Sequence, residues 1–228
     1  MTTEEVFDMP FNFIRKAKVR PAVRSESSCE RSDKEEDADA DEEVQMNLIR
    51  LETLMNMYGG QRHPKIESFE TLKDRNDLIE WRFVPPTATV IFVSHEWVGR
   101  ESPDPEGDQM YHLLLLLERL QKGEINRTEM DAFHSMLYKH YLTTCSEEWK
   151  EILSSEKTFI WYDGFCVPKS KREDRFRTIP AFIQRHDFMI ILAPGCVHTD
   201  RIDPLTQRKM NMCCYGKRFL ESSAVGQK

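Results

Sequence analysis

The feature that most constrains this chain is a short apolar run, residues 89–93 (TVIFV), that ends abruptly in a polar cluster. The run consists of β-branched and aromatic residues; a proline pair precedes it, and Ser94, His95 and Glu96 follow it directly. An uninterrupted apolar run of this length is typical of a central strand with both faces covered, as in parallel sheets. Because ligands of open α/β sheets bind beyond the carboxyl ends of such strands, the polar cluster marks a candidate site, although a loop after any strand is also polar.

Two later runs predict further strands of the same sheet. Residues 158–162 (TFIWY) end at Asp163 and Gly164, and residues 188–193 (FMIILA) end at Pro194. Helical patterns lie between the strands, at 109–121, at 128–144 with Thr128 as N-cap, at 146–153 and at 178–185. The order strand, helices, strand, helix, strand predicts an α/β fold with a parallel sheet covered on both faces and a helical insertion after the first strand.

The first 43 residues predict a disordered tail. Residues 30–43 hold nine acidic and two basic residues, so this tract alone accounts for the net charge of −7 of the whole chain. Self-repulsion keeps such a tract from folding. The basic, aromatic stretch 11–20 before it could touch an anionic membrane or nucleic acid. One short patch favours a solvated tail instead, and no nucleic-acid partner is expected.

Residues 44–87 predict an N-terminal helix and a connecting segment ahead of the α/β domain, which is assigned to residues 88–228. Apolar residues recur at spacings of three and four over 44–58, which predicts a helix, and a glycine pair ends it. A short extended stretch is expected over 78–84. We expect the α/β domain to be incomplete at its C-terminus, because the family resemblance given below implies later strands and a last helix that this chain lacks.

Composition and motifs narrow the function classes. No apolar run approaches the roughly 20 residues that span a bilayer, and the N-terminus lacks a secretory apolar core, which predicts a cytoplasmic protein without a transmembrane segment. The six cysteines form no C-x-x-C pair and no zinc spacing, so free thiols and no metal are expected. G-x-G-x-x-G, GK[ST], H-E-x-x-H and G-x-S-x-G motifs are absent, which argues against dinucleotide oxidoreductases, NTPases, zinc proteases and α/β-hydrolases.

The motifs between residues 88 and 194 resemble the TIR (Toll/interleukin-1 receptor-like) superfamily. In that family a strand ending in Asp leads into a basic loop, a helix that starts near Ile-Pro, and an apolar strand. Here the corresponding motifs are WYD at 161–163, the loop 165–172, Ile179-Pro180, and His186-Asp187 before FMIILAP. The form SHEW…PDP resembles TIR-like domains of protists, and WYDGFCVPKS is similar to an element of fungal heterokaryon-incompatibility domains. The resemblance implies a flavodoxin-like, TIR-like fold.

The resemblance implies one of two activities. Some TIR domains are protein-interaction modules in signalling that pair with copies of themselves or with other TIR-like domains, and this is the function we expect. Others are NAD+ glycohydrolases, which cleave the nicotinamide–ribose bond with a glutamate in a W-C-x-x-E context; NAD+ would then be a substrate, and no cofactor is expected. This chain departs from that motif, and only Glu221 could stand in for the glutamate. Its carboxylate would stabilise the positive charge that develops on the ribose.

The candidate site residues fall into two groups. Those expected around a nucleotide are Ser94, His95, Trp97, Arg100 and Asp163, and those of the expected interaction loop are Phe165, Cys166, Pro168, Lys169, Lys171 and Arg172. Each has an ordinary structural alternative: Asp163 could cap its loop, Trp97 could cover the sheet end, and the loop could be solvated. Neighbouring residues of a strand point to opposite faces, so His95 and Glu96 are not expected to serve one site. A metal held by His95 with Asp163 or Cys166 is a minor alternative.

Overall fold

The computed structural model describes residues 12–15, 45–129, 143–154, 156–171, 175–204 and 206–211. Its helices are α1 (Leu51–Tyr58), α2 (Phe69–Asp74), α3 (Asp108–Lys122), α4 (Ser146–Ser154), α5 (Asp163–Cys166) and α6 (Arg175–Ile183), with 3-10 turns at Trp81–Phe83 and Lys169–Lys171. Its strands are β1 (Asn12–Arg15), β2 (Asn47–Arg50), β3 (Leu78–Glu80), β4 (Thr89–His95), β5 (Arg127–Glu129), β6 (Thr143–Cys145), β7 (Thr158–Trp161), β8 (Phe188–Leu192), β9 (Val197–Ile202) and β10 (Lys209–Asn211). The described chain is therefore of the α/β class, as the sequence predicted.

A six-stranded sheet with the order β1-β8-β4-β7-β2-β3 forms the centre of the described structure. The three strands that the apolar runs predicted, β4, β7 and β8, are parallel, and β4 lies between the other two. The chain passes from β4 to β7 on one side and then to β8 on the other, so the strand order reverses at β4. β1 joins antiparallel beside β8, and β2 and β3 join antiparallel beyond β7. The sheet is thus mixed, which corrects the wholly parallel sheet that we expected.

Both faces of the parallel strands are buried. Val90, Ile91, Phe92 and Val93 of β4 each expose 3 % of their surface or less, and every residue of β7 is buried. Because successive residues of a strand point to opposite faces, this continuous burial means that both faces are covered. Apolar residues of α3 and α4 belong to the same core. Each fully buried large apolar side chain contributes about 1.5–3 kcal/mol, so these runs determine where the centre of the sheet lies.

Two predicted helices have strand residues where the sequence pattern placed their beginning. The first part of the helix expected at 44–58 is strand β2, and only Leu51–Tyr58 is helical. Backbone hydrogen bonds to both β3 and β7 favour the strand there. Thr128 is not an N-cap, because it lies in β5 opposite Thr144 of β6, and its hydroxyl accepts the indole N–H of Trp149 at 2.9 Å. The middle of that predicted helix, 130–142, lies outside the described residues.

The other expected segments divide between confirmed elements and additions. The helices expected at 109–121, 146–153 and 178–185 correspond to α3, α4 and α6, with shifted ends. Within the expected tail, Asn12–Arg15 forms β1, and the rest of the tail lies outside the described residues. The antiparallel hairpin of β9 and β10 was not expected. Among the described helices, none is long and apolar enough to cross a membrane.

Two segments meet at the carboxyl edge of the parallel strands. After β4 the chain turns back over the edge, where the backbone N–H of Val98 donates to the carbonyl of Pro103 at 3.0 Å. The side-chain amide of Gln109 fixes this turn by donating to the carbonyls of Glu96 (2.9 Å) and Pro103 (3.2 Å). After β8 the β9–β10 hairpin reaches the same edge, since the N–H of Thr199 donates to the carbonyl of Val98 at 2.7 Å. The residues that follow β4, β7 and β8 are therefore brought together.

Candidate functional site

One carboxylate joins the ends of two neighbouring parallel strands. Asp163 follows β7, and its Oδ1 lies 2.7 Å from Nε2 of His95, while its Oδ2 accepts the indole N–H of Trp97 at 2.9 Å. His95 ends β4, and Trp97 lies two residues further, so both project toward Asp163 as the period of a strand requires. The side chain of His95 is 2 % exposed and that of Asp163 is 12 % exposed. Hydrogen bonds to a carboxylate are strong in such a shielded place.

The imidazole of His95 is held flat against an aromatic ring. The ring of Tyr162 lies parallel to it, with centroids 4.2 Å apart and an interplanar angle of 7°, and Tyr162 in turn stacks on Phe165 at 5.2 Å. Gly164 makes this packing possible, because a Cβ there would lie 2.5 Å from Cε1 of Tyr162 and 2.8 Å from Cγ of Pro103. The ring of Tyr162 and the turn at Pro103 thus lie too close for any side chain at position 164.

Asp104 is a second buried carboxylate on this side of the sheet edge. It comes from the Pro-Asp-Pro turn and exposes 3 % of its surface. Its Oδ2 accepts the backbone N–H of Met110 at 2.8 Å, which satisfies one of the free N–H groups in the first turn of α3. Burial raises the pKa of the Asp104 carboxyl; the backbone N–H groups of Met110 and Gln109 and the nearby His95 oppose this. Burial also raises the pKa of the Tyr162 hydroxyl, and Asp104 adds to that effect.

Glu96 forms a separate contact with the β9–β10 hairpin. Its Oε1 lies 3.2 Å from Nε2 of His198 and 3.5 Å from a guanidinium nitrogen of Arg201. The His198 side chain is 2 % exposed, whereas that of Arg201 is 57 % exposed. His95 and Glu96 therefore serve different partners, in line with the expectation that neighbouring strand residues face opposite ways. We call His95 with Asp163 the inner histidine pair and His198 with Glu96 the outer histidine pair.

An open cleft of about 200 Å³ lies at this edge, lined by Trp97, Gly99, Arg100, Asp200 and Arg201. It combines one aromatic side chain with two guanidinium groups and one carboxylate. The first three residues follow β4, and the last two lie in β9, which follows β8. The cleft is thus at the point where the strand order reverses, which is where open α/β sheets usually bind ligands. We call it the switch-point cleft.

The structure brings most of the expected nucleotide residues together, in different roles. Trp97 and Arg100 line the switch-point cleft, while His95 and Asp163 lie behind Trp97 and contact it through the carboxylate. Ser94 is a half-buried residue of β4 that pairs with Ile191 of β8 and does not line the cleft. Glu221 lies outside the described residues.

The expected interaction loop is corrected at two positions. Phe165 is 0 % exposed and Cys166 is 1 % exposed, because both belong to α5 and fill the core, so neither can contact a partner. Lys169 is exposed, and Pro168 is half-buried. The side chain of Lys171 and the whole of Arg172 lie outside the described part of the chain.

Thiol and metal chemistry have little support in the described ranges. The described cysteines, Cys145, Cys166 and Cys196, are free. Burial raises the pKa of the Cys196 thiol to about 12, with Asp108 and Asp104 adding to the effect, and burial raises the pKa of the Cys166 thiol further. Neither is a reactive thiolate near neutral pH. The described residues contain no group of three or more metal-ligating side chains.

Sequence reasoning missed the part of the site that comes from β9. Asp200 and Arg201 line the cleft, and His198 anchors Glu96. Their segment, VHTDRI, follows a predicted strand and a Pro-Gly turn, and it holds four polar residues in succession between its apolar ends. Because polar and apolar residues do not alternate there, the segment carries no strand signal in its sequence. The role of Asp104 could have been suspected from its place between two prolines just before a helix.

Comparisons with known proteins found no match, so the function is argued from the residues of the site alone. No protein-family model matches the chain, and no curated protein or solved structure is significantly similar to it.

Proposed function

We propose that this chain is a TIR-like signalling domain that binds a nucleotide-type ligand in the switch-point cleft. The observation that carries the proposal is that Trp97, Arg100 and Arg201 line one cleft at the carboxyl edge, where the strand order reverses. The order β7-β4-β8 places the second, first and third parallel strands side by side. Flavodoxin-like sheets begin with the same order and bind their ligands at this point.

The chemistry of the cleft wall suits an anionic ligand with a flat ring. Guanidinium groups bind phosphate oxygens through paired N–H groups, and an indole offers a face on which a planar base can stack. A cleft of about 200 Å³ is smaller than the usual 300–1,000 Å³ of a site for a drug-sized ligand. The cleft therefore holds only the part of the ligand that contains the ring and a phosphate. The rest of a larger ligand lies along the protein surface.

Titration with NAD+ tests this proposal directly. We expect saturable binding in isothermal titration calorimetry that weakens as salt is added, because the recognition is partly ionic. Arg100→Ala should weaken the affinity about tenfold, corresponding to about 1.4 kcal/mol. Arg82→Ala is the matched control, because Arg82 is an exposed arginine paired with Glu80 and does not line the cleft. Equal loss in both variants, or no binding by the unaltered chain, would contradict the proposal.

Hydrolysis of NAD+ is the second candidate function, favoured by the carboxylate of Asp200 in the cleft wall beside Arg201. A carboxylate near the ribose can stabilise the positive charge that develops as the nicotinamide leaves. Nicotinamide release, followed by chromatography, would establish the enzyme. Loss of release in Asp200→Asn but not in Glu221→Gln would assign the reaction to Asp200, and the reverse result would assign it to Glu221.

Association with copies of this chain or with other TIR-like domains is the signalling role that the resemblance implies. Of the expected loop, Lys169 is the exposed charged residue that the structure describes. Analytical ultracentrifugation with and without NAD+ is the appropriate measurement. We expect association that Lys169→Glu weakens; a monomer at all concentrations and ligand conditions would argue against homotypic signalling.

A further inference from the structure

Asp163 does not line the switch-point cleft, but its carboxylate contacts Trp97, the aromatic residue that does. Trp97 lines the cleft, and Asp163 does not. The two are joined by the hydrogen bond from the indole N–H to Oδ2 of Asp163 at 2.9 Å. An indole has a single N–H donor, so this bond sets which way the ring plane turns.

Asp163 is in turn prevented from moving. Its other carboxylate oxygen lies 2.7 Å from His95, whose side chain is 2 % exposed. The imidazole cannot swing away, because Tyr162 is stacked on it at 4.2 Å. Gly164 lets Tyr162 and the turn at Pro103 close on this cluster without a Cβ in the way. A rigid support for a side chain at the site wall is what pre-organised binding requires.

We infer that Asp163 is a positioning residue, which orients the indole of Trp97 for stacking on the ligand and does not bind the ligand itself. This inference rests on the proposed function for its ligand, but the orientation of the indole is a property of the free protein. It also replaces the expectation that Asp163 contacts a nucleotide directly. The carboxylate acts here by its shape and its two acceptor atoms, and its negative charge is not used on the ligand.

The comparison of Asp163→Ala with Asp163→Asn distinguishes positioning from direct contact. An asparagine at 163 can still accept the indole N–H with its carbonyl oxygen and can donate its amide N–H to Nε2 of His95. The imidazole proton would then sit on Nδ1, and Nδ1 has no hydrogen-bond partner among the described residues in the present structure. We expect Asp163→Ala to weaken NAD+ binding about tenfold and Asp163→Asn to weaken it by less than about threefold.

The indole proton signal of Trp97 gives a readout that does not depend on ligand. The chain has four tryptophans, so its NMR spectrum contains four indole N–H signals, and Trp97→Phe identifies one of them by its loss. We expect this signal to move upfield in Asp163→Ala, since the proton loses its carboxylate acceptor, and to stay close to its place in Asp163→Asn. The other three signals should not move. Asp74→Ala, an exposed carboxylate on α2, is the matched control.

A double-mutant cycle completes the test. If Asp163 acts through Trp97, then Asp163→Ala should add no further loss of NAD+ affinity in a Trp97→Phe background. The inference is overturned if the Trp97 signal stays in place in Asp163→Ala, or if Asp163→Asn binds NAD+ as weakly as Asp163→Ala. A signal that moves as expected, in a protein that does not bind NAD+, would support the positioning role and reject the proposed ligand. If Asp163→Ala does not fold, Asp163→Asn still decides between the two roles, because direct contact through the negative charge predicts a large loss of NAD+ affinity in that variant and positioning predicts almost none.

Discussion

The inner and outer histidine pairs begin from adjacent residues, His95 at the end of β4 and Glu96 directly after it, and they differ in how firmly they are held. In the inner pair the nitrogen–oxygen distance is 2.7 Å, and Tyr162 is stacked on the imidazole. In the outer pair the distance is 3.2 Å, and the carboxylate also contacts the exposed Arg201. Both pairs join a histidine to a carboxylate. The inner pair thus supports the sheet edge, whereas the outer pair leaves the charged Arg201 beside the cleft. Burial of the histidine does not explain the difference, since both imidazoles are 2 % exposed.

The largest expected difference between the pairs is in stability. His95→Ala should lower the free energy of unfolding by about 3 kcal/mol, because it leaves a cavity against Tyr162 and removes the partner of a shielded carboxylate. His198→Ala should lower it by about 1–2 kcal/mol, because Glu96 is more exposed and keeps its contact with Arg201. Urea unfolding followed by circular dichroism measures both values.

Equal losses of unfolding free energy in His95→Ala and His198→Ala would contradict the conclusion that the inner pair is held more firmly than the outer pair. The slope of the unfolding free energy against urea must also be unchanged, since a changed slope would mean an altered unfolded or native state. His63→Ala is a suitable control, because the side chain of His63 is 64 % exposed and contacts an exposed aspartate. We expect its effect to lie within about 0.5 kcal/mol.

A smaller effect, of opposite sign in two variants, is expected at the outer pair. Arg201→Ala should weaken the affinity for NAD+ about tenfold, or about 1.4 kcal/mol, because the cleft loses one of its two guanidinium groups. Glu96→Gln should strengthen the affinity about threefold, since the Glu96 carboxylate then no longer competes with the ligand's phosphate for Arg201. Calorimetric titration at two salt concentrations measures both. Weaker binding in Glu96→Gln would mean that Glu96 holds Arg201 in place for the ligand.

The centre of the sheet was predictable from the sequence because its strands are buried on both faces. Burial of that kind leaves uninterrupted apolar runs at β4, β7 and β8, and such runs are hard to mistake. The strand β2 was not predictable in the same way. Its buried residues, Leu48 and Ile49, continue into Leu51 and Leu54 of α1, and this mixture fits a helical spacing as well as a strand. The hydrogen bonds to β7 and β3 that decide the outcome are long-range and leave no local signal.

The site residues near β4 and β7 could be predicted from the sequence, and those in β9 could not. His95 ends β4, while Trp97 and Asp163 each lie two residues beyond the end of a buried strand, β4 or β7. The carboxyl ends of parallel strands meet at one edge. The roles were harder to predict, since which of these residues faces the cleft depends on where the turn after β4 folds back. Asp200 and Arg201 come from a hairpin whose short polar strands resemble a loop in sequence.

The Tyr162 hydroxyl offers a test of how well the inner histidine pair is shielded from water. The side chain is 0 % exposed, and its hydroxyl has no hydrogen-bond partner among the described residues. A buried polar group without a partner costs about 1–3 kcal/mol. Tyr162→Phe keeps the stack on His95 and removes that group, so we expect it to raise the free energy of unfolding by about 1 kcal/mol. A loss of stability would mean that the hydroxyl has a hydrogen-bond partner in the folded protein.

The smallest expected effect is a dependence of the free energy of unfolding on pH, caused by Asp104 beside the inner histidine pair. Burial raises the pKa of Asp104 above its ordinary value of 3.8, and its charged neighbours are His95, which opposes the rise, and Asp108, which adds to it. The folded state therefore holds the Asp104 proton more firmly than the unfolded state. Its contribution to stability is fully present below pH 3.8 and is lost as the pH rises through the raised value.

Asp104→Asn should remove this slope. The amide oxygen can still accept the N–H of Met110, and the side chain no longer carries a charge that burial disfavours. We expect the variant to be as stable as the unaltered chain near pH 4 and more stable at pH 7, with the gap widening between them. Thermal unfolding across that range measures the gap. A gap that narrows as the pH rises would mean that His95 holds Asp104 ionised, which would join Asp104 to the inner histidine pair as its second carboxylate.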